Sequence, residues 1–180
     1  PTMHKDLPEL IEYARKSNTA DIIEVFTNGS KLNPNLNRKL VDSGLQRINI
    51  SLEGLTEDRY LKVAKAKINW KEFVANIKDL YEYSRTTGDL VIYVKIVNNA
   101  SELNGKTIFS MTEEEKNYFY KTFGNIADEV YIEKIVPQWA ETQEDKQNNL
   151  EYTGMYDQKT VKYKKVCPFI FMYLHIVSTT

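Results

Sequence analysis

Polar side chains follow two apolar segments of this sequence, at the points where buried strands are predicted to end. The segment IIEVF leads into Thr27, Asn28 and Gly29, and the segment RINISL carries Ser51 and leads into Glu53. Ligands of parallel α/β sheets bind at the carboxyl ends of the strands. A hydroxyl and a carboxylate one pleat apart, as in Ser51 and Glu53, can bind an ammonium, a ribose or a backbone amide. For Thr27 to Gly29 the alternative is a plain turn.

One charged residue interrupts the most apolar segment, LVIYVKIV at residues 90–97. Lysine is rarely buried without a partner, so Lys95 is a candidate for chemistry. If it points into a barrel, desolvation activates its amine for Schiff-base or general-base catalysis, as in a barrel lyase or aldolase. If it lies near the strand end, its ammonium reaches solvent. Both possibilities stay open at this point.

Residues that bind metals are scarce. The chain has two histidines, His4 and His175, and one cysteine, Cys167. Neither histidine has a second histidine or a cysteine at a ligand spacing, so no histidine metal site and no Ser-His-Asp triad are predicted. A single cysteine excludes an internal disulfide and any site built from several thiolates of this chain.

The elements that must position these residues alternate between helices and strands. Periodicity, caps and turn signals predict this order. Helices are expected at residues 5–16, 35–43, 56–66 and 70–85 and from 112 onward, and strands at 22–26, 47–52, 90–97, 129–136 and 166–177, with a polar connection at 98–109. Strands joined through helices form parallel sheets. The predicted fold class is α/β, either part of a parallel (β/α) barrel or an open doubly wound sheet.

The charge balance and the apolar segments of the chain indicate which partners are not expected. Lys and Arg number 24 against 25 Asp and Glu, so no net field attracts nucleic acid or anionic lipid. No apolar segment is long enough to span a bilayer and no signal peptide is evident, which predicts a cytoplasmic protein without membrane contact. No GxGxxG or GxxxxGK[ST] occurs, so no dinucleotide or P-loop site is indicated.

Several of these segments together resemble the radical S-adenosylmethionine (SAM) superfamily. PTMHKDLPELIEYARK is similar to the segment that follows that family's GGEP motif, with Pro1 matching the motif's proline. VFTNGSKL and INISLEG resemble the next two strands and their turns, and FVANIKDL the helix that follows. The resemblance implies a partial, TIM-barrel-like (β/α) barrel that is truncated at both ends in this chain. It also implies that SAM and a 4Fe-4S cluster, held by a CxxxCxxC loop outside this sequence, meet at the carboxyl ends of the strands.

The resemblance assigns SAM-binding roles to individual positions. The proline contacts the SAM amino group through its motif's backbone, and the strand-end residues lie near the ribose, carboxylate or adenine. The implied SAM-binding residues are Pro1, Thr27, Asn28, Ser51, Glu53 and Gln138. No catalytic residue is assigned.

The C-terminal segment CPFIFMYLHIVSTT resembles the entry to a SPASM-type extension, in which Cys167 would bind an auxiliary iron-sulfur cluster. The predicted domains are residues 1–139 as the central part of the barrel, 140–165 as a linker, and 166–180 as the start of this extension. One thiolate cannot hold a 4Fe-4S cluster, so the chain by itself is expected to be inactive.

The resemblance implies that the parent enzyme reductively cleaves SAM to a 5′-deoxyadenosyl radical, which abstracts hydrogen from a substrate. SPASM relatives often modify peptides or proteins, so a peptide or protein substrate is favoured. An electron donor such as flavodoxin or ferredoxin is the further expected partner. The alternatives are the Lys95 lyase and a non-catalytic barrel that has lost its cluster.

Overall fold

The computed structural model describes residues 2–18, 20–87, 89–103, 106–109, 111–133, 151–153 and 160–162. Helices and strands alternate through most of this length, as the sequence predicts. The helices are α1 Leu7–Lys16, α2 Pro34–Asp42, α3 Glu57–Ala64, α4 Trp70–Thr87 and α5 Glu113–Phe123. The strands are β1 Glu24–Thr27, β2 Arg47–Leu52, β3 Val91–Val97, β4 Asn99–Leu103, β5 Lys106–Phe109, β6 Glu129–Glu133, β7 Glu151–Thr153 and β8 Thr160–Lys162.

Four strands form one parallel sheet in the order β1-β2-β3-β6. The register places Thr27 beside Ile50, and Ser51 beside Lys95. Sequential strands are therefore neighbours, each reached through one or more helices, as in a (β/α) barrel. The predicted α/β class and the barrel-like arrangement are confirmed.

The two faces of this sheet differ in burial. On β2 and β3 alternate residues, such as Ile48, Ile50 and Val94, are fully buried, and the residues between them are only half-buried. The buried residues belong to one hydrophobic core with helix residues such as Leu80 and Phe119. Helices thus cover one face, and we call the opposite one the open face. Its members on the described strands include Glu24, Phe26, Arg47, Asn49, Ser51, Val91, Tyr93, Lys95, Val97, Glu129 and Tyr131.

Local sequence signals set the helix boundaries. The Asn33 side chain accepts the Leu36 N–H at 3.0 Å at the start of α2, where Pro34 opens the helix. Thr112 and Glu115 form a capping box at the start of α5. Gly44, with φ +82°, ends α2 in the left-handed region. Asp6 precedes α1 but makes no side-chain capping hydrogen bond, unlike the expectation from its residue type.

The connection predicted at residues 98–109 contains regular structure instead. β4 and β5 pair as an antiparallel hairpin, and β7 and β8 form a second one within the predicted linker at 140–165. Strands of three to five mostly polar residues give too few repeats for a period-two pattern to stand out. The extension predicted at 166–180 and the end of the strand predicted at 129–136 lie outside the described residues.

The chain divides into two compact units. The first comprises Pro1–Val97 and Met111–Ile132 and holds α1 to α5 with most of the parallel sheet. The second comprises Asn98–Ser110 and Glu133–Thr180 and holds both hairpins. In the described ranges no helix has both the length and the apolar character needed to cross a membrane.

Candidate functional site

The ends of β1, β2 and β3 meet at one edge of the parallel sheet. Thr27 lies beside Ile50, and Leu52 beside Ile96, so β2 and β3 extend beyond the end of β1. The described site residues Thr27, Asn28, Ser51 and Glu53 lie at the ends of β1 and β2 or within one position of them. The edge therefore brings Asn28, Ser51 and Glu53 to the same end of the sheet.

Thr27 is turned toward the helices rather than toward the open face. It is only 6% exposed, and its hydroxyl forms a hydrogen bond of 3.0 Å with the hydroxyl of Thr2. The same oxygen accepts the Gly29 N–H at 3.1 Å. The hydroxyl thus joins the residues before α1 to the turn after β1. These hydrogen bonds match the turn alternative from the sequence, and a contact of Thr27 with SAM stays a prediction.

Asn28 divides its polar groups between the turn and the surroundings. Its Oδ1 accepts the Ser30 N–H at 3.1 Å and the Ser30 hydroxyl at 2.8 Å, which forms an Asx turn. Its Nδ2 donates no hydrogen bond to any described residue. Gly29, with φ +75°, then lets the chain leave the strand. Asn28 therefore presents an amide donor at the end of β1.

Ser51 and Glu53 present a hydroxyl and a carboxylate at the end of β2. Both are half-buried, and neither side chain makes a hydrogen bond or an ion pair with another described residue. Burial raises the pKa of the Glu53 carboxyl above its ordinary value. A hydroxyl, a carboxylate and an amide donor together match the hydrogen-bonding groups of a ribose and an ammonium. This donor set fits SAM, as the resemblance implies.

Lys95 lies beside Ser51 on the open face. It is half-buried, and its Nζ is 6.0 Å from the centre of the Phe26 ring, close enough for a cation–π contact. The Schiff-base alternative assumed a lysine desolvated within a barrel. Its half-buried position is closer to the alternative of a lysine near the strand end than to a lysine desolvated within a barrel, and the nucleophile role stays a prediction.

Further along the open face, aromatic and charged groups form a connected set. The rings of Tyr93 and Tyr131 stack with centres 6.0 Å apart, and the Arg47 guanidinium lies 5.5 Å from the centre of Tyr93. Glu24 is 3.8 Å from Arg47 and accepts a short hydrogen bond from Asn49. Burial raises the pKa of the Tyr131 hydroxyl. This surface offers flat rings and cations to a ligand.

The sequence reasoning missed Tyr60. It lies in α3, is fully buried, and donates its hydroxyl to the Asn28 carbonyl oxygen at 3.1 Å. Burial raises the pKa of this hydroxyl strongly, whereas a backbone hydrogen bond from Glu53 lowers it. In the sequence Tyr60 is one apolar position of a short helix. No spacing signal distinguishes it from an ordinary core aromatic.

The remaining site residues lie outside the described residues: Pro1, Gln138 and Cys167. Within the described ranges no group of three His, Cys, Asp or Glu side chains is placed to hold a metal ion. The whole chain has one cysteine, and a 4Fe-4S cluster needs several thiolates. The residues of this chain therefore do not fit a complete cluster site, although they fit SAM.

Two surface grooves also lie on the first unit. One, of about 670 Å³, is lined by the N-terminal residues of α3, α4 and α5, including Asp58, Trp70 and Tyr118. The other, of about 470 Å³, is lined by residues before α1 and at the start of α2, including Lys5 and Lys31. None of Asn28, Ser51 or Glu53 lines either groove. We place the candidate site at the strand ends, because the unpartnered polar groups converge there.

Named relatives share parts of this sequence. The chain is 31% identical over 129 residues to a probable GTP 3′,8-cyclase of Methanocaldococcus jannaschii, which covers 58% of this chain and 43% of that protein. It is 32% identical over 118 residues to an Fe-coproporphyrin III synthase of Methanosarcina barkeri, which covers 64% of this chain and 27% of that protein. A 7,8-dihydro-6-hydroxymethylpterin dimethyltransferase of M. jannaschii is 43% identical over 68 residues, which covers 37% of this chain and 13% of that protein. The chain matches less than half the length of each of these proteins.

A family profile also matches a continuous part of the chain. The profile of the Radical SAM superfamily matches residues 1–103, more than half of the 180 residues. The match includes β1, β2 and β3 and therefore the strand ends that carry Asn28, Ser51 and Glu53. Together with the parallel sheet and the donor set at its edge, this match shows that the chain belongs to the radical SAM superfamily.

Proposed function

We propose that this chain is the SAM-binding part of a radical SAM enzyme that abstracts hydrogen from a small, negatively charged heterocycle. The observation that carries the proposal is the open face. It ends in unpartnered Asn28, Ser51 and Glu53 groups and carries Lys95 beside them. Within the described residues no helix packs on this sheet face, and its polar and aromatic residues are half-buried, which suits it to holding ligands rather than to packing a core.

Members of the family bind SAM and a 4Fe-4S cluster. In this chain we assign the Asn28 amide, the Ser51 hydroxyl and the Glu53 carboxylate to SAM binding. When bound, SAM and a reduced cluster supply the carbon radical that abstracts a hydrogen atom. The contribution of these three residues is to orient SAM through hydrogen bonds at the edge of the sheet. Pro1 and Gln138 remain proposed contacts from the resemblance.

The substrate class rests on the chemistry of the open face and on the relatives' names. Those names refer to GTP, a pterin and a porphyrin, all of which contain nitrogen heterocycles. None refers to a peptide, so the expectation of a peptide or protein substrate finds no support. The stacked Tyr93 and Tyr131 rings offer a surface for a flat heterocycle, and Lys95 offers a cation for a carboxylate or phosphate.

Three further parts of the proposal stand on the resemblance alone. These are an auxiliary iron-sulfur cluster bound through Cys167 in a SPASM-like extension, an electron donor such as flavodoxin or ferredoxin, and cluster cysteines elsewhere in the parent protein. The cluster must come from such cysteines because this chain has one thiol.

The test uses the full-length protein, purified and reconstituted with iron and sulfide without oxygen. We expect an iron-sulfur absorption band, and 5′-deoxyadenosine formed from SAM with dithionite, measured by chromatography. Addition of GTP as the first probe should increase its formation, whereas unstructured peptides of mixed sequence should not. Absence of both the band and 5′-deoxyadenosine contradicts the radical SAM activity. Stimulation by peptides alone contradicts the substrate class.

Lys95→Met tests the role of the cation, with Lys121→Met as the matched control. Lys121 is an exposed lysine in the last turn of α5, and the same side-chain change there removes one charge from a helix that packs on the opposite side of the sheet. Loss of a charged hydrogen bond should raise KM for the anionic substrate about tenfold or more. The KM for SAM, measured from SAM cleavage in the absence of the anionic substrate, should stay unchanged in both variants. Equal effects at both lysines contradict the assignment.

A further inference from the structure

We propose that Tyr60 is a positioning residue that fixes the turns after β1 and β2 relative to each other, so that their side chains bind SAM together. The inference rests on the proposed SAM site at the strand ends. It goes beyond that site because Tyr60 contacts no ligand and acts through Asn28 and Glu53.

Tyr60 connects both turns. Its hydroxyl donates to the Asn28 carbonyl at 3.1 Å, and its N–H donates to the carbonyl of Thr56, in the segment that follows β2, at 3.1 Å. Asn28 and Glu53 are 25 residues apart in the chain, and each carries one of the unpartnered groups of the candidate site. The position of Tyr60 therefore helps to set the separation between the Asn28 amide and the Glu53 carboxylate.

The ring that carries the hydroxyl is held firmly in place. Tyr60 is fully buried, with its ring centre 5.1 Å from that of Phe73 and 6.4 Å from that of Trp70. Phe73 also packs closely against the backbone of the first turn, since a Cβ added at Gly29 would lie 3.1 Å from its ring. A close-packed aromatic cluster leaves the hydroxyl little freedom to move.

The hydroxyl is also protonated at neutral pH, because its burial disfavours the charged phenolate. It can thus donate to the Asn28 carbonyl throughout the physiological range. A buried tyrosine can donate such a hydrogen bond for stability alone, without any effect on ligand binding. A structural role and a positioning role differ in whether loss of the hydroxyl weakens SAM binding.

Tyr60→Phe in the full-length protein separates these roles, because it keeps the ring and removes the hydroxyl. The control is Tyr83→Phe, which removes the hydrogen bond of 2.9 Å to Asp42 on the side of the helices. We expect Tyr60→Phe to raise the Kd and the KM for SAM about tenfold, the size of one lost hydrogen bond in free energy. At saturating SAM, kcat should change less than twofold. Tyr83→Phe should leave both SAM constants unchanged.

A lower melting temperature with SAM constants within twofold of the wild type would overturn the inference and leave Tyr60 a structural residue. A wild-type protein that binds no SAM overturns both the inference and the proposed function, whereas unchanged SAM binding in Tyr60→Phe overturns the inference alone.

Hydrogen–deuterium exchange of the wild type gives a test that does not depend on a variant's folding. SAM should slow amide exchange at residues 28–30 and 53–55 together, because Tyr60 links the two turns. Slowing at only one of these turns contradicts the inference.

Discussion

The turn after β1 makes a quantitative prediction, because Gly29 combines two constraints at one position. Its φ of +75° lies in the left-handed region, and a Cβ built on it would be 3.0 Å from Ile50 Cγ2 and 3.1 Å from the Phe73 ring. Gly44 shares the first constraint only. Its φ is +82°, but its added Cβ would meet the flexible Arg15 side chain at 3.2 Å. Replacing each glycine by alanine therefore separates backbone strain from overpacking.

The expected magnitudes follow from these contacts. A left-handed alanine costs about 1–2 kcal/mol at either position. At Gly29 the methyl group also presses on the buried Ile50 and Phe73, and overpacking of a close-packed core adds about 1–3 kcal/mol. Gly29→Ala should thus lower the free energy of unfolding by about 2–5 kcal/mol. Gly44→Ala should lower it by about 1–2 kcal/mol, since the arginine can move aside.

Urea unfolding of the full-length protein, followed by tryptophan fluorescence and far-UV circular dichroism, measures both variants. Trp70 stacks on Phe73, so its fluorescence reports the packing that Gly29→Ala disturbs. SAM binding by Gly29→Ala should also weaken, because the turn carries Asn28. If the two variants lose the same free energy of unfolding, the close approach at Gly29 has no energetic consequence and the packing argument is refuted.

Three further predictions concern single side chains. Glu53→Gln should stabilise the protein above pH 4.5, the ordinary pKa of this carboxyl: because burial raises the pKa in the fold, the wild type loses stability as pH rises to that raised value. The free energies of unfolding of the wild type and of Glu53→Gln, measured between pH 4 and 8, should differ more as the pH rises. A difference that does not change with pH contradicts this prediction. Asp128→Ala should lower the free energy of unfolding by about 2 kcal/mol, because Asp128 accepts the N–H of buried Ile92 at 2.7 Å and pairs with Arg85. Asp128→Asn should lower it less in the same urea assay. Thr112→Ala should lower the free energy of unfolding by about 1 kcal/mol through loss of the capping box, whereas Thr112→Ser should keep both the box and the stability.

The order of elements and most helix boundaries could be predicted from the sequence. Asn33, Gly44 and Thr112 act locally, because a cap or a left-handed turn depends on a few neighbouring residues only. The alternation in RINISL is also seen in the burial pattern of β2, where Ser51 lies on the face opposite to the buried isoleucines. The hairpins of β4–β5 and β7–β8 were missed, because antiparallel pairing of such short polar strands depends on contacts between segments.

What the sequence by itself determined is therefore the βα order, the membership of the family through its strand and turn segments, and the residues available at the strand ends. Tertiary structure alone decided which way those residues face. On β1 the apolar Phe26 is 47% exposed on the open face, whereas the polar Thr27 is 6% exposed on the side of the helices. A strand of four residues fixes that side chains alternate, but only the helices packed against one face decide which alternate set is buried. The same packing brought Tyr60 to the carbonyl of Asn28, 32 residues away, where no local pattern could place it.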